Sequence, residues 1–261
     1  MAEWDDWIGC EERRRDVLTQ GLIDRFCATV LRRRPEPSSA VSGLRRSPEH
    51  NATAPPGLHW CLCLPDAPME ELGPDGHPKK GGFMPPIPLP RRMFAASDIA
   101  FLAPLEAGAA IERVSTIASI AEKGGKSGQL VFVEVDHVTL ADSIETIRER
   151  QTIVYREAAA VPLPLPATGT ADLSRWPAMR TITPSEMQLF RYSALTFNAH
   201  RIHYDAPYAR DEEGYPALVV HGPLIASLLM QLAADEKGGM LERFAFRAKS
   251  PAFTGQPLHL C

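Results

Sequence analysis

The chain has 261 residues, 44% of them hydrophobic, and its 28 Lys and Arg face 32 Asp and Glu. That balance supports a packed core and one or two domains and excludes wholesale disorder. A net charge of −4 gives no global attraction for nucleic acid or an anionic membrane surface, and no apolar run approaches the ~20 residues of a membrane span.

The start, Met1-Ala-Glu-Trp-Asp-Asp-Trp7, is acidic and has no apolar run, so no secretory leader is expected. Cysteines at 10, 27, 61, 63 and 261 are odd in number and lack zinc-site spacing. They read as reduced thiols of a cytoplasmic protein.

Residues 11–33 are predicted to be helical. Leu18, Leu22, Phe26 and Val30 recur every four residues, and Arg32 to Arg34 put positive charge at the helix end. Residues 35–57, rich in Pro, Ser and Arg, read as a loop. Leu58 to Leu64 reads as a short strand with Cys61 and Cys63 on one face. Residues 65–92 are a Gly/Pro-rich excursion carrying Lys79, Lys80, Arg91 and Arg92. Loops of that length in compact domains are usually functional or mobile.

From 98 onward the period changes to two. Strands are predicted at 98–104, 109–122, 128–140 and 144–157, with Val131, Val133 and Val135 on one apolar face. Turns fall at 124–128 and 141–143. Gly124-Gly125-Lys126-Ser127-Gly128 lacks the frame of a phosphate loop. Residues 158–178 carry four prolines and read as a linker. A helix follows over Thr183–Leu195, with Thr183 as N-cap and Glu186 completing a capping box. Residues 223–235 form a second helix, apolar almost all round and therefore buried. A strand is predicted at 243–249.

A weak internal repeat is present. Asp16-Val-Leu-Thr19 with Phe26 matches Arg180-Thr-Ile-Thr183 with Phe190, and Phe101 to Gly108 matches Ala248 to Gly255. Two copies of one helix-and-strand unit account for this. Only six residues follow Gly255, so the second copy is expected to stop short.

The chemistry concentrates after the second predicted helix. Asn198, His200 and His203 follow Thr183–Leu195, and His221-Gly222-Pro223 open the next helix. Imidazoles can move a proton near neutral pH, and a helix N-terminus can hold a developing oxyanion. His200 and His203 are three apart with no third metal ligand in sequence, so no metal site is expected.

Arg191-Tyr-Ser-Ala-Leu-Thr-Phe-Asn-Ala-His-Arg-Ile-His-Tyr-Asp205, His221-Gly-Pro-Leu224 and Ala226-Ser-Leu-Leu229 resemble the MaoC-like hydratases and dehydratases. The branch is that of mitochondrial-type 3-hydroxyacyl-thioester dehydratases and of itaconyl-CoA and mesaconyl-C4-CoA hydratases. Asp75-Gly-His-Pro78, Gly82 to Met93, Lys126 to Val133 and Gln151 to Glu157 agree with it. The resemblance implies an α+β double hotdog, each unit a central helix wrapped by an antiparallel sheet. Residues 1–160 would be a non-catalytic unit shaping the acyl pocket, 161–178 a linker, and 179–261 the catalytic unit, truncated at its end.

It also implies a hydro-lyase acting on a short carboxylated enoyl-CoA, itaconyl-CoA or mesaconyl-C4-CoA, to give citramalyl-CoA. CoA enters as part of the substrate and no separate cofactor is implied. A fatty-acid-synthesis dehydratase, a hotdog thioesterase and a non-catalytic acyl-CoA binder are the alternatives. Unpaired sheet edges offer a route to a homodimer.

The family motif is Asp-x-Asn-Pro-Ile/Leu-His. His203 matches its His, Asn198 stands at the Asp, and His200-Arg201 replace Asn-Pro. The resemblance therefore makes His203 the acid–base group, with Asn198 positioning water and Gly222 donating its N–H to the thioester oxygen. Arg201 is the first choice for a second substrate carboxylate, with Arg191 and His200 adding positive charge. His221 and Ser227 are weaker substrate contacts, and Arg91 and Arg92, with Lys79 and Lys80, would meet CoA phosphates.

Overall fold

The structure is a computed structural model that describes residues 4–30, 52–125, 128–158, 162, 164–167 and 172–261. The expected helix end at Arg32–Arg34, the loop over 35–51, the tip residues Lys126 and Ser127, and parts of the 158–178 linker lie outside them.

In chain order the strands are β1 (Glu11–Val17), β2 (Arg91–Phe101), β3 (Ala110–Gly125), β4 (Gly128–Ala141), β5 (Ile144–Arg156), β6 (Arg180–Ile182), β7 (Arg243–Arg247) and β8 (Leu258–Leu260). The helices are α1 (Gln20–Val30), α2 (Glu186–Thr196), α3 (Ala206–Asp211) and α4 (Gly222–Lys237). Six strands form one antiparallel sheet in the order β1-β3-β4-β5-β2-β7, and β6 pairs with β8.

The predicted helix over 11–33 is corrected at its start. Residues 11–17 are a strand whose side chains alternate between exposed and half-buried. None of the six residues before Val17 is apolar, so no helical stripe exists there to bury. The apolar periodicity begins at Leu18, and the Thr19 hydroxyl accepts the Leu22 N–H at 3.1 Å to start α1. Leu58 to Leu64 is likewise no strand. Leu58–Cys61 form a single 3-10 turn, with four consecutive residues buried, a pattern that period-two alternation cannot give. The second correction of this kind concerns α2, whose cap is Ser185 and not Thr183. Ser185 Oγ accepts the Gln188 N–H. Pro184 disfavours the helical region for the residue before it.

The other strand predictions hold, with β2 beginning seven residues earlier than expected. The β4–β5 turn rests on Asp142 and Ser143 at φ 48° and 69°. Val131, Val133 and Val135 are buried with Ile117 and Tyr155, covered by Trp4, Ile87 and Leu89. The larger core gathers Phe26 and Val30 of α1, Leu189 and Tyr192 of α2, and Leu224 and Met230 of α4.

The 3-10 turn faces a buried charge on β5. Glu149 accepts hydrogen bonds from Trp60 Nε1 (2.9 Å), Ser97 Oγ (2.6 Å) and Gln151 Nε2 (2.9 Å), and His59 Nε2 stands 3.4 Å away. Burial works against this carboxylate, yet His59, His137 and Ser97 bring its pKa down to about 2.

The internal repeat has a backbone counterpart. Ala54 N–H bonds to Leu105 O, and Ala107 N–H to Ala52 O. At the matching positions Val220 N–H bonds to Ala252 O, and Thr254 N–H to Leu218 O. Pro55-Pro56-Gly57-Leu58 thus corresponds to His221-Gly222-Pro223-Leu224. The two segments meet: a Cβ on Gly57, which sits at φ 91°, would lie 2.5 Å from Ser227 Oγ of α4. No helix among the described residues is long and apolar enough to cross a membrane.

Candidate active site

His203 closes a 3-10 turn, Arg201–His203, directly after α2. Its Nδ1 lies 2.7 Å from the carbonyl of Val219. A carbonyl only accepts, so Nδ1 carries the proton and Nε2 keeps a lone pair. The ring stacks on His221 at 3.6 Å between centroids and meets His200 edge-on at 5.4 Å. Burial, then the charges of His221, His200 and His77, push its pKa well below the ordinary imidazole value. His203 is therefore a neutral base.

His221 is fixed from the other side. Its Nε2 lies 2.9 Å from Ser193 Oγ of α2, and Tyr192 packs edge-on against the ring. Burial and His200 bring its pKa to about 3. The next residue, Gly222, opens the 16-residue α4, followed at once by Pro223, which has no N–H to leave unpaired. The stacked pair thus sets the imidazole of 203 beside the N-terminus of a long buried helix.

The loop after the first core contributes the remainder. His77 Nδ1 lies 2.9 Å from Asp75 Oδ2, and the His77 and His200 rings are 4.1 Å apart. His200 Nε2 lies 3.5 Å from Glu213 Oε1, and Glu213 forms an ion pair with Arg91. Asp75, His77 and Glu213 border a cavity of about 490 Å³ whose other walls include Lys79, Lys80, Arg91, Arg92 and Tyr208. Asp75, His77 and His200 hold metal-capable atoms within 4.8 Å of one another. Within this group the Asp75 carboxylate pairs with His77 Nδ1, and the His200 ring lies against that of His77.

The family model for hydroxyacyl-thioester dehydratase type 2 matches residues 57–254. The mesaconyl-C(4)-CoA hydratase of Chloroflexus aurantiacus is 44% identical over 259 residues, covering 99% of this chain and 88% of that protein. A solved MaoC-like dehydratase superposes with a TM-score of 0.65 at 15% identity, covering 94% of this chain and 83% of its own. A Mycobacterium tuberculosis protein described as a double hotdog gives a TM-score of 0.57 at 12% identity, covering 97% and 82%. The chain belongs to the MaoC-like hotdog family.

It is a hydro-lyase of the MaoC hydratase type, with the α+β double-hotdog arrangement that the sequence led us to expect. Within that MaoC-like frame, the structure brings together His203, His200, His221 and Gly222, and sets Arg91 and Arg92 on the adjoining cavity.

Three expectations are corrected. Arg201 is not available for a substrate carboxylate: Nε and Nη2 bond Asp205 Oδ2, Nη1 bonds Pro74 O, and the guanidinium lies over Tyr208. Arg191 is exposed on α2, whereas the imidazoles of His200, His203 and His221 are buried. Ser227 is fully buried against Gly57 and Tyr192. Asn198 is near the cluster, but its Oδ1 accepts the His200 N–H at 2.9 Å, shaping the turn. Asp205 caps α3 by accepting the Tyr208 N–H.

Asp75, His77 and Glu213 were missed as site residues. The one signal was an Asp-x-His triplet inside a Gly/Pro-rich loop whose length called for a function.

Proposed function

We propose that this MaoC-like hydro-lyase adds water to the double bond of a short carboxylated enoyl-CoA of the mesaconyl-C4 or itaconyl type, giving citramalyl-CoA. The substrate class follows the 44% identical hydratase, which spans nearly this whole chain. The observation that carries the chemistry is the His203 Nδ1–Val219 carbonyl bond, which leaves Nε2 unprotonated.

Water bound at Nε2 has its lone pair turned toward the β-carbon of the enoyl group. As oxygen adds there, negative charge moves to the thioester oxygen, where the Gly222 N–H at the start of α4 receives it. Asn198 supports the turn and, through its second lone pair, the water. The α-carbon then takes a proton. Arg92 lines the cavity beside the Tyr155 hydroxyl. With Lys79 and Lys80 it forms the basic wall that suits the anionic parts of the substrate.

The five free cysteines favour a reducing cytoplasm. The outer edge of β7 is where two copies would pair.

The test is a spectrophotometric assay of enoyl-thioester loss with mesaconyl-C4-CoA, itaconyl-CoA and linear C4–C8 enoyl-CoAs. Wild type is expected to favour the carboxylated substrates, and His203→Ala to lose at least about 10²–10⁴-fold in kcat. A preference for linear chains would point to a fatty-acid dehydratase. Full turnover by His203→Ala would remove the assignment.

A further inference from the structure

We propose that His77, aligned by Asp75, is a second catalytic imidazole of this site, brought by the loop before β2 and supplying the carboxylate-backed base that Asn198 cannot provide. The proposal rests on the hydratase reading of His203 and goes beyond it by assigning the proton that must reach the α-carbon.

The geometry points to this in four ways. First, Asp75 holds His77 twice: Oδ2 pairs with Nδ1 at 2.9 Å, and Oδ1 accepts the His77 backbone N–H at 3.0 Å. An ionised carboxylate only accepts, so Nδ1 carries the proton and Nε2 keeps a lone pair. Two neutral imidazoles of the same tautomer, 77 and 203, therefore flank His200.

Second, the loop is locked onto the His200–His203 turn. Gly76 sits at φ 88°, and a Cβ there would lie 1.8 Å from Ala199 O. Arg201 N–H bonds Asp75 O at 2.9 Å, and Arg201 Nη1 bonds Pro74 O at 3.1 Å. Arg201, excluded as a substrate ligand, thereby joins the two halves of the site.

Third, His77 borders the cavity, whereas His203 is 7% exposed and meets His200 edge-on. Fourth, the two positions differ in what they offer a newly formed imidazolium. At His203 the positive charge would face His221 and His200 with one carbonyl as partner. At His77 it would face the Asp75 carboxylate.

The groups acting on His77 are Asp75, Arg92 and His200, with Lys79, Lys80, Arg91 and Glu213 along the same cavity. Burial and Arg92 lower its pKa to about 3, so it rests neutral and ready to accept. Burial opposes ionisation of Asp75, but the bond and charge of His77 hold that carboxyl well below the usual range.

The step balances without another reagent. Water lies between the two Nε2 atoms and donates a hydrogen to each. Its O–H bond toward His77 breaks, the proton passes to Nε2, and the oxygen bonds the β-carbon. The π pair moves to the thioester oxygen. As that enolate collapses, the α-carbon takes the proton back from His77, and both imidazoles end neutral. His77 is a catalytic residue in this scheme, and Asp75 is a positioning residue.

The experiment compares the full-length chain with His77→Gln, Asp75→Asn, Asp75→Glu and His203→Ala on mesaconyl-C4-CoA, recording kcat, KM, pH profiles and thermal melts. His77→Gln is expected to lower kcat at least 100-fold, within the usual range for losing an acid–base group, while KM changes less than three-fold. Asp75→Asn is expected to lower kcat about ten-fold and to move the acidic limb to lower pH, because the carboxylate raises the basicity of His77. Asp75→Glu should recover part of the loss.

A His77→Gln enzyme with kcat within three-fold of wild type, or changed only in KM, overturns the proposal. If that variant melts below the assay temperature, an unmoved pH limb in Asp75→Asn overturns it. Inactive His203→Ala beside active His77→Gln leaves the hydratase reading standing, whereas active His203→Ala removes that reading itself.

Discussion

At the scale of single residues, the protonation of His203 decides what the site can do. Its proton is committed to the Val219 carbonyl, and among the described residues the side chains that act on it are the imidazoles of His221, His200 and His77. The free enzyme therefore keeps a functional base far into acid. The kcat/KM profile, which reports groups of the free enzyme, is expected to run flat from pH 8 to below 6.5. An acidic limb centred near 6.5, as for a solvent-exposed imidazole, would contradict the burial argument.

The same scale shows how much a sequence can reveal. His203, His221 and Gly222 lie within twenty residues of one another, so their grouping was readable as a motif. Asp75 and His77 reach the site over more than a hundred residues, and nothing local in Asp-Gly-His announces where that loop will land. Arg201 shows the reverse error. Its charge and position suggested a ligand for substrate, but Asp205, four residues on, already takes two of its N–H groups. Spacing alone marks that pair as neighbours on a helical turn.

Among the elements, the loop at 73–78 is more constrained than its composition suggests. Gly73 N–H bonds His77 O, Gly76 N–H bonds Gly73 O, and Lys79 N–H bonds Glu71 O. Gly76 lies against the Ala199 carbonyl with no room for a methyl group. Gly76→Ala must both adopt a left-handed backbone and push two loops apart. It is expected to cost about 1–3 kcal/mol of stability and to lower kcat, because His77 and His200 separate. A variant with wild-type melting and turnover would show that the loop can yield.

Element boundaries were the least legible part of the sequence. The four-residue spacing from Leu18 to Val30 was real, but extending it upstream overran a strand of charged residues that only its pairing with β3 defines. Leu58 to Leu64 read as a strand because β-rich stretches and buried turns share an apolar composition. Burial against the sheet and α4, not periodicity, sets that turn. The long strands β3, β4 and β5 were legible because period-two patterning persists over more than twelve residues.

For the molecule as a whole, buried imidazoles tie stability to pH. His77 and His221 are lowered to about 3, His137 to about 4, and His203 falls well below its ordinary value, in every case chiefly by burial. A group depressed in the folded state contributes fully above its unfolded pKa, here near 6.5. That contribution disappears as pH falls toward the folded value, since the unfolded chain takes up the protons first. Each such imidazole removes on the order of 1 kcal/mol per pH unit once below about 6.5. Asp75 and Glu149, also depressed, extend the loss below about pH 4. Urea melts at pH 7.5 and 5.5 should show a lower midpoint at 5.5, and identical midpoints would refute the linkage.

The pairing of β7 with β2 reaches beyond stability. Ala96 to Ala100 of the N-terminal half hydrogen-bonds with Arg243 to Arg247 of the C-terminal half, and the Asp75 loop leans on the turn at Ala199. Neither half carries a finished sheet or a finished set of imidazoles. A gene split within residues 164–167 would yield two polypeptides that regain turnover only after co-expression, each serving as the other's template.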